Sequence, residues 1–151
     1  AMGLTSLDSL EDFRMHNAAN FQAYRGSLAG IPGIRLIEFD ERERNNFQYV
    51  VIEVDETVTG IDRDTLVALL HAENVRARRY FYPGCHRMAP YRDGIRLPNT
   101  EALAARTITL PTGTSVGAGQ IAQICQLVRR AVAGAADGTT PSTVDYAVPV
   151  T

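Results

Sequence analysis

Apolar residues Leu10, Phe13, Phe21, Tyr24 and Leu28 recur at helical spacing near the start of the chain, with Asn17 interrupting the stripe midway. The pattern predicts one long amphipathic helix over residues 6–29. Ser6, Asp8 and Ser9 offer capping oxygens before it, and Gly30 and Pro32 end it. A short strand is expected over 34–39, followed by a charged turn over 40–46 whose acids and arginines read as a solvated loop without a function.

Residues 47–54 carry apolar side chains on both alternating faces, Tyr49 and Val51 on one and Val50, Ile52 and Val54 on the other. That predicts a strand in a sheet covered on both sides. Asp62 is placed to cap a helix over 63–72, with Leu66, Leu69 and Leu70 on its buried face and Asn74 closing it. A strand over 75–81, an irregular stretch over 82–98, a short helix over 99–105 and a strand over 107–110 follow. The last helix is expected over 116–132, buried through Ile121, Ile124, Val128 and Val132. Residues 134–151 read as a tail that is either mobile or docked as an edge strand through 144–148. The expected fold is α+β: a small, mainly antiparallel sheet of three or four strands, with helices mainly on one face.

Length and composition narrow the chemistry. At 151 residues the chain has the size of one domain. All fifteen of its cationic side chains are arginine, and no lysine occurs. That excludes a lysine Schiff base and the phosphate loop that depends on a lysine. A net charge of −2 gives no electrostatic reason to expect nucleic acid. No apolar run reaches a membrane-spanning length and no basic leader opens the chain, so a cytoplasmic setting is expected. Cys85 and Cys125 stand far apart, outside any CxxC pair, and are expected to be reduced. His71, Cys85, His86 and Cys125 lack a metal-ligand spacing, so no metal site is expected. His16 and His71 fall on polar helix faces and are expected to be solvated.

Residues 76–91, RARRYFYPGCHRMAPY, hold four arginines, one histidine and four aromatic rings in sixteen positions. Strand alternation would put Arg76, Arg78 and Tyr80 on one face and Ala77, Arg79 and Phe81 on the other. Paired guanidinium forks bind phosphate, and a phenol ring gives a sugar or base a flat surface. The plainer reading is an edge strand bearing arginines, with its aromatics in the core. His86, beside Cys85 in a glycine-containing loop, reads from the residues alone as a structural hydrogen-bonding residue more often than a functional one.

The motifs MGLTSLDSL (2–10), IPGIRL (31–36), NFQYVVIEV (46–54), ENVRARRYFYPGCHRMAPYR (73–92), LPNTEALAARTITLPTG (97–113) and IAQICQLVRRAV (121–132) together resemble the carboxy-terminal part of the DegT/StrS-type sugar aminotransferases. These are pyridoxal phosphate enzymes acting on nucleotide-linked keto sugars. The resemblance implies the small domain, over 1–133, with a connecting helix over 1–29 and a tail over 134–151. It also implies that the cofactor lysine lies in a large domain absent from this chain. Pyridoxal phosphate would then belong to the parent enzyme and not be bound covalently here, and this chain would be inert alone.

The same resemblance gives a substrate-facing role to Arg79, Tyr80, Tyr82, His86 and Tyr91, with His86 as a hydrogen-bond donor. No catalytic residue is assigned to the chain. Strand alternation favours Arg78 where the motif favours Arg79, and the two alternatives stay open here. The expected partners are the large domain, a nucleotide sugar and a second copy of the chain, with Phe13, Phe21 and Tyr24 exposed for docking. A stand-alone binding module descended from such an enzyme is the alternative.

Overall fold

The computed structural model describes residues 7–40, 42–92 and 94–138. Helix α1 (Leu10–Leu28) starts after Ser9 and ends at Ala29, before Gly30 in a left-handed conformation. Strands β1 (Ile34–Leu36) and β2 (Val50–Val54) follow, and then a helical turn, α2 (Glu56–Thr59), that the periodicity does not predict. Asp55 and Gly60 cap the two ends of that turn. Helix α3 (Arg63–Ala72) begins where Asp62 accepts a hydrogen bond from the Thr65 amide. After it come β3 (Arg78–Arg79), a 3-10 turn (Cys85–Arg87), α4 (Pro98–Arg106), β4 (Thr107–Leu110) and α5 (Ala118–Ala136).

The four strands form one antiparallel sheet in the order β1-β2-β4-β3, an α+β fold as expected. Residues paired across strands share a face, so Val54, Ile52 and Val50 lie with Ile34, Leu36, Ile108 and Leu110. This inner face is buried against Phe21, Tyr24 and Leu28 of α1, Leu66 and Leu70 of α3, and Ile121, Ile124 and Val128 of α5. Each fully buried side chain of this size contributes roughly 1.5–3 kcal/mol, so the core is closed by the chain's own helices.

The opposite face corrects the expectation of a strand covered on both sides. There Tyr49 is exposed and Val51 half-buried, while Glu53 is buried beneath ion pairs with Arg35 and Arg106. A carboxylate between two guanidinium groups closes that face without a second apolar layer.

The rings expected on the surface are also corrected. Phe21 is 2% exposed and Tyr24 0%, and only Phe13, at 39%, is open. Phe21 packs against Phe39 and Phe47 at centroid distances of 5.0 and 5.6 Å, and the Tyr24 hydroxyl donates to the Pro111 carbonyl at 2.8 Å. Burial pushes the Tyr24 phenol well above its ordinary pKa. Nor are His16 and His71 merely solvated: their Nε2 atoms lie 3.1 Å from the Val116 carbonyl and 2.6 Å from the Ala77 carbonyl. Helix α5 runs to Ala136, past the start of the expected tail, and residues 144–148 lie outside the described residues.

Candidate functional site

The arginine and aromatic segment does not form one continuous strand. The Val75 amide turns back to the Leu70 carbonyl, closing α3, and Phe81 takes a positive φ of 46°, so the ladder holds only Arg78 and Arg79. Register assigns their faces. Arg79 pairs with Ile108 and lies on the inner, helical side, whereas Arg78 pairs with Thr109 on the open face. Arg76, expected beside Arg78, precedes the ladder but lines one cavity with Arg78, and that cavity does not include Tyr80.

On the inner edge, the Arg79 guanidinium stacks over the Tyr82 ring at 5.2 Å, and its Nε lies 3.9 Å from Asp64 Oδ1. Arg63 covers the same ring at 4.8 Å. Arg63 is a site residue the sequence reading missed, although it occupies a legible position. It falls at the head of the apolar stripe Leu66, Val67 and Leu70, where a charge is out of place, and it is 4% exposed. Its Nη1 donates to the carbonyls of Ala104 at 2.7 Å and Thr107 at 3.4 Å, and its Nε lies 2.7 Å from Asp64 Oδ1. One buried cation thus joins α3, the end of α4 and the Tyr82 loop.

On the other side, Tyr80 and His86 come together in a cavity of about 440 Å³, walled by Phe81, Leu97, Leu103 and Thr107. The Tyr80 ring meets Tyr49 at 5.8 Å and Phe81 at 4.5 Å, both edge-on. His86 is held by Glu101, its Nε2 3.3 Å from Oε1. Glu101 also accepts from the Leu97 amide at 3.1 Å and pairs with Arg87 Nη2 at 2.6 Å and Arg96 Nε at 3.6 Å. The Leu97 amide is the largest cause, and with His86, Arg87 and Arg96 it holds the Glu101 carboxyl below its ordinary pKa. A side chain on Gly84 would sit 2.8 Å from the His86 ring, and φ there is 96°, so glycine is required where the imidazole folds under the loop.

Tyr91 stands apart from both groups. It is 66% exposed, and its amide donates to the Met88 carbonyl at 2.7 Å. Of the five expected residues, Tyr80 and His86 share the cavity, Arg79 and Tyr82 share the stacked edge, and Tyr91 joins neither. The cavity offers aromatic edges, an apolar wall and an oriented imidazole, which suits binding more than bond making.

An antiparallel sheet with helices packed on one face and an aromatic, arginine-bearing loop at its edge defines an α+β domain. Residues 1–129 match the DegT/DnrJ/EryC1/StrS aminotransferase family, and the chain belongs to it. It is 29% identical over 133 residues to dTDP-4-amino-4,6-dideoxy-D-glucose transaminase of Escherichia coli, covering 85% of this chain and 36% of that protein. Among solved structures, DesI in the presence of its TDP-sugar product superposes with a TM-score of 0.82 at 45% identity, over 91% of this chain and 35% of DesI. The aminotransferase TlmJ from Streptoalloteichus hindustanus shares the fold, with a TM-score of 0.77 at 20% identity over 87% of this chain and 35% of its own. The chain therefore spans about a third of the length of these relatives. The residues present do not fit covalent capture of a pyridoxal cofactor, since the chain contains no lysine amine to receive it.

Proposed function

We propose that this chain, over residues 1–133, is the small domain of a pyridoxal phosphate dependent nucleotide-sugar aminotransferase. The parent enzyme moves an amino group, from glutamate, to a keto carbon of a nucleotide diphosphate keto-deoxy sugar in the cytoplasm. A large domain, absent here, supplies the lysine and the cofactor site. This chain supplies the wall that closes over the sugar nucleotide, through Arg79, Tyr80, Tyr82, His86 and Tyr91, and it is inert alone. The observation that carries the reading is the match of nearly the whole chain to about a third of sugar transaminases. A homo-oligomer that completes the pocket is part of the same proposal.

Mixed with pyridoxal phosphate and borohydride, the chain is expected to give no saturable adduct on any side chain, the α-amino group excepted. A trapped side-chain adduct overturns the assignment. One observation favours the second reading, a stand-alone binding module: the core is closed without help from another domain. Saturable binding of a thymidine diphosphate sugar by the isolated chain, with shifts at Tyr80 and His86, selects that module. Absence of binding selects the incomplete pocket.

A further inference from the structure

Among the described residues, twelve of the fifteen arginines meet a carboxylate or a backbone carbonyl. The three that meet neither are Arg76, Arg78 and Arg130, and they are not scattered. Arg76 and Arg130 line a cavity of about 620 Å³, Arg76 and Arg78 line one of about 350 Å³, and the two share Asn74, Val75 and Arg76 as a common wall. The larger cavity lies between residues 73–76, ahead of β3, and α5, and the smaller one continues from Arg76 to Arg78 at the start of β3. Neither shares a lining residue with the cavity of Tyr80 and His86.

The chemistry of the lining narrows the ligand. Guanidinium groups without acid partners are donors in a fork that matches phosphate and carboxylate oxygens. Among the described residues Glu73 is the one carboxylate in the walls, and His71 already meets the Ala77 carbonyl, so the described lining carries an excess of positive charge. Gln120 and Gln123 add amide donors and acceptors, and the floor at Val75 and Ile124 is apolar. A volume of this size holds a small organic molecule more readily than a single ion.

We infer that the groove between residues 73–76 and α5 is a binding site for a small organic oxyanion, a phosphate or a carboxylate. Arg76 and Arg130 clamp the oxygens, Gln120 and Gln123 hold the rest of the molecule, and Arg78 adds positive charge at the adjoining smaller cavity. The site does not depend on the aminotransferase assignment.

Backbone amide NMR spectra of the 151-residue chain, titrated with inorganic pyrophosphate and separately with glutarate, test this. Saturable shifts confined to residues 73–78 and 115–130 are expected with one or both, and the tighter of the two tells phosphate from carboxylate. The double variant R76Q/R130Q is expected to weaken binding about tenfold or more with the fold intact in the spectrum. R42Q/R44Q removes equal charge outside the groove and is expected to leave affinity within about twofold. Failure of both probes to saturate by about 20 mM overturns the proposal. So does equal weakening by the two double variants.

Discussion

Replacing Arg63 by methionine is expected to destabilise the domain by about 2 kcal/mol. The side chain is buried, and its 2.7 Å hydrogen bond supplies a donor to the Ala104 carbonyl near the end of α4. Losing that donor strands a carbonyl of a buried residue, at about 1–3 kcal/mol. Loss of the stacking over Tyr82 adds about 0.5–1 kcal/mol. Three effects work the other way. Methionine needs no desolvation of a charge, and Asp64, left without its partner, is 56% exposed and hydrated. The Thr107 carbonyl keeps a contact from the Tyr80 amide at 3.4 Å. The balance corresponds to a fall in Tm of about 4–8 °C for a domain of this size. Urea unfolding followed by far-UV circular dichroism measures it, with R79M as the comparison. Arg79 also stacks on Tyr82, but it is 37% exposed and 3.9 Å from Asp64, so R79M should cost less than about 1 kcal/mol. If R63M proves no less stable than R79M, burial and carbonyl bonding are not what make Arg63 matter.

The Glu101 carboxyl titrates below its ordinary value of 4.5, so its contribution is complete above that value and is lost as pH falls through the depressed one. The stability gap between the wild type and E101Q should therefore shrink between about pH 5.5 and about pH 3, and a gap constant over that range contradicts the assignment. Gly33 has a φ of 72°, and an added Cβ would lie 2.6 Å from Thr59 Cγ2, so G33A should cost more than about 2 kcal/mol in urea. Gly26, within α1 with open space around it, gives the opposite sign: G26A should gain about 0.5–1 kcal/mol.

Helices were the legible part of the chain, because their signals are local. Asp62 and the stripe through Leu66 and Leu70 mark α3 within a residue, and Asn74, with a φ of 59°, closes it as expected. Strand ends were not legible. Phe39 and Phe47 leave the ladders early because they pack on Phe21 and on each other, the last pair at 5.1 Å, a preference that alternation does not encode. Strand β3 shrinks from seven expected residues to two because Val75 is spent on closing α3 and Phe81 turns out of the ladder. In the arginine and aromatic segment, alternation separates Arg76 from Arg79 but could not show that Arg76 and Tyr80, placed on one face, line different cavities, or that Tyr80 and Phe81 share one. Glu101 gave a weak signal, an acid in the first turn of a helix with proline at its start. Its convergence with His86, Arg87 and Arg96 is visible only in three dimensions.

Every group that Glu101 holds comes from residues 86–97, so the fastener and the groups it fastens lie within one contiguous run of sequence, residues 86–101. Such a segment is a cassette. Moved as a block between relatives of this fold, it carries its own fastener and can change what the domain recognises while the sheet and its helices stay as they are.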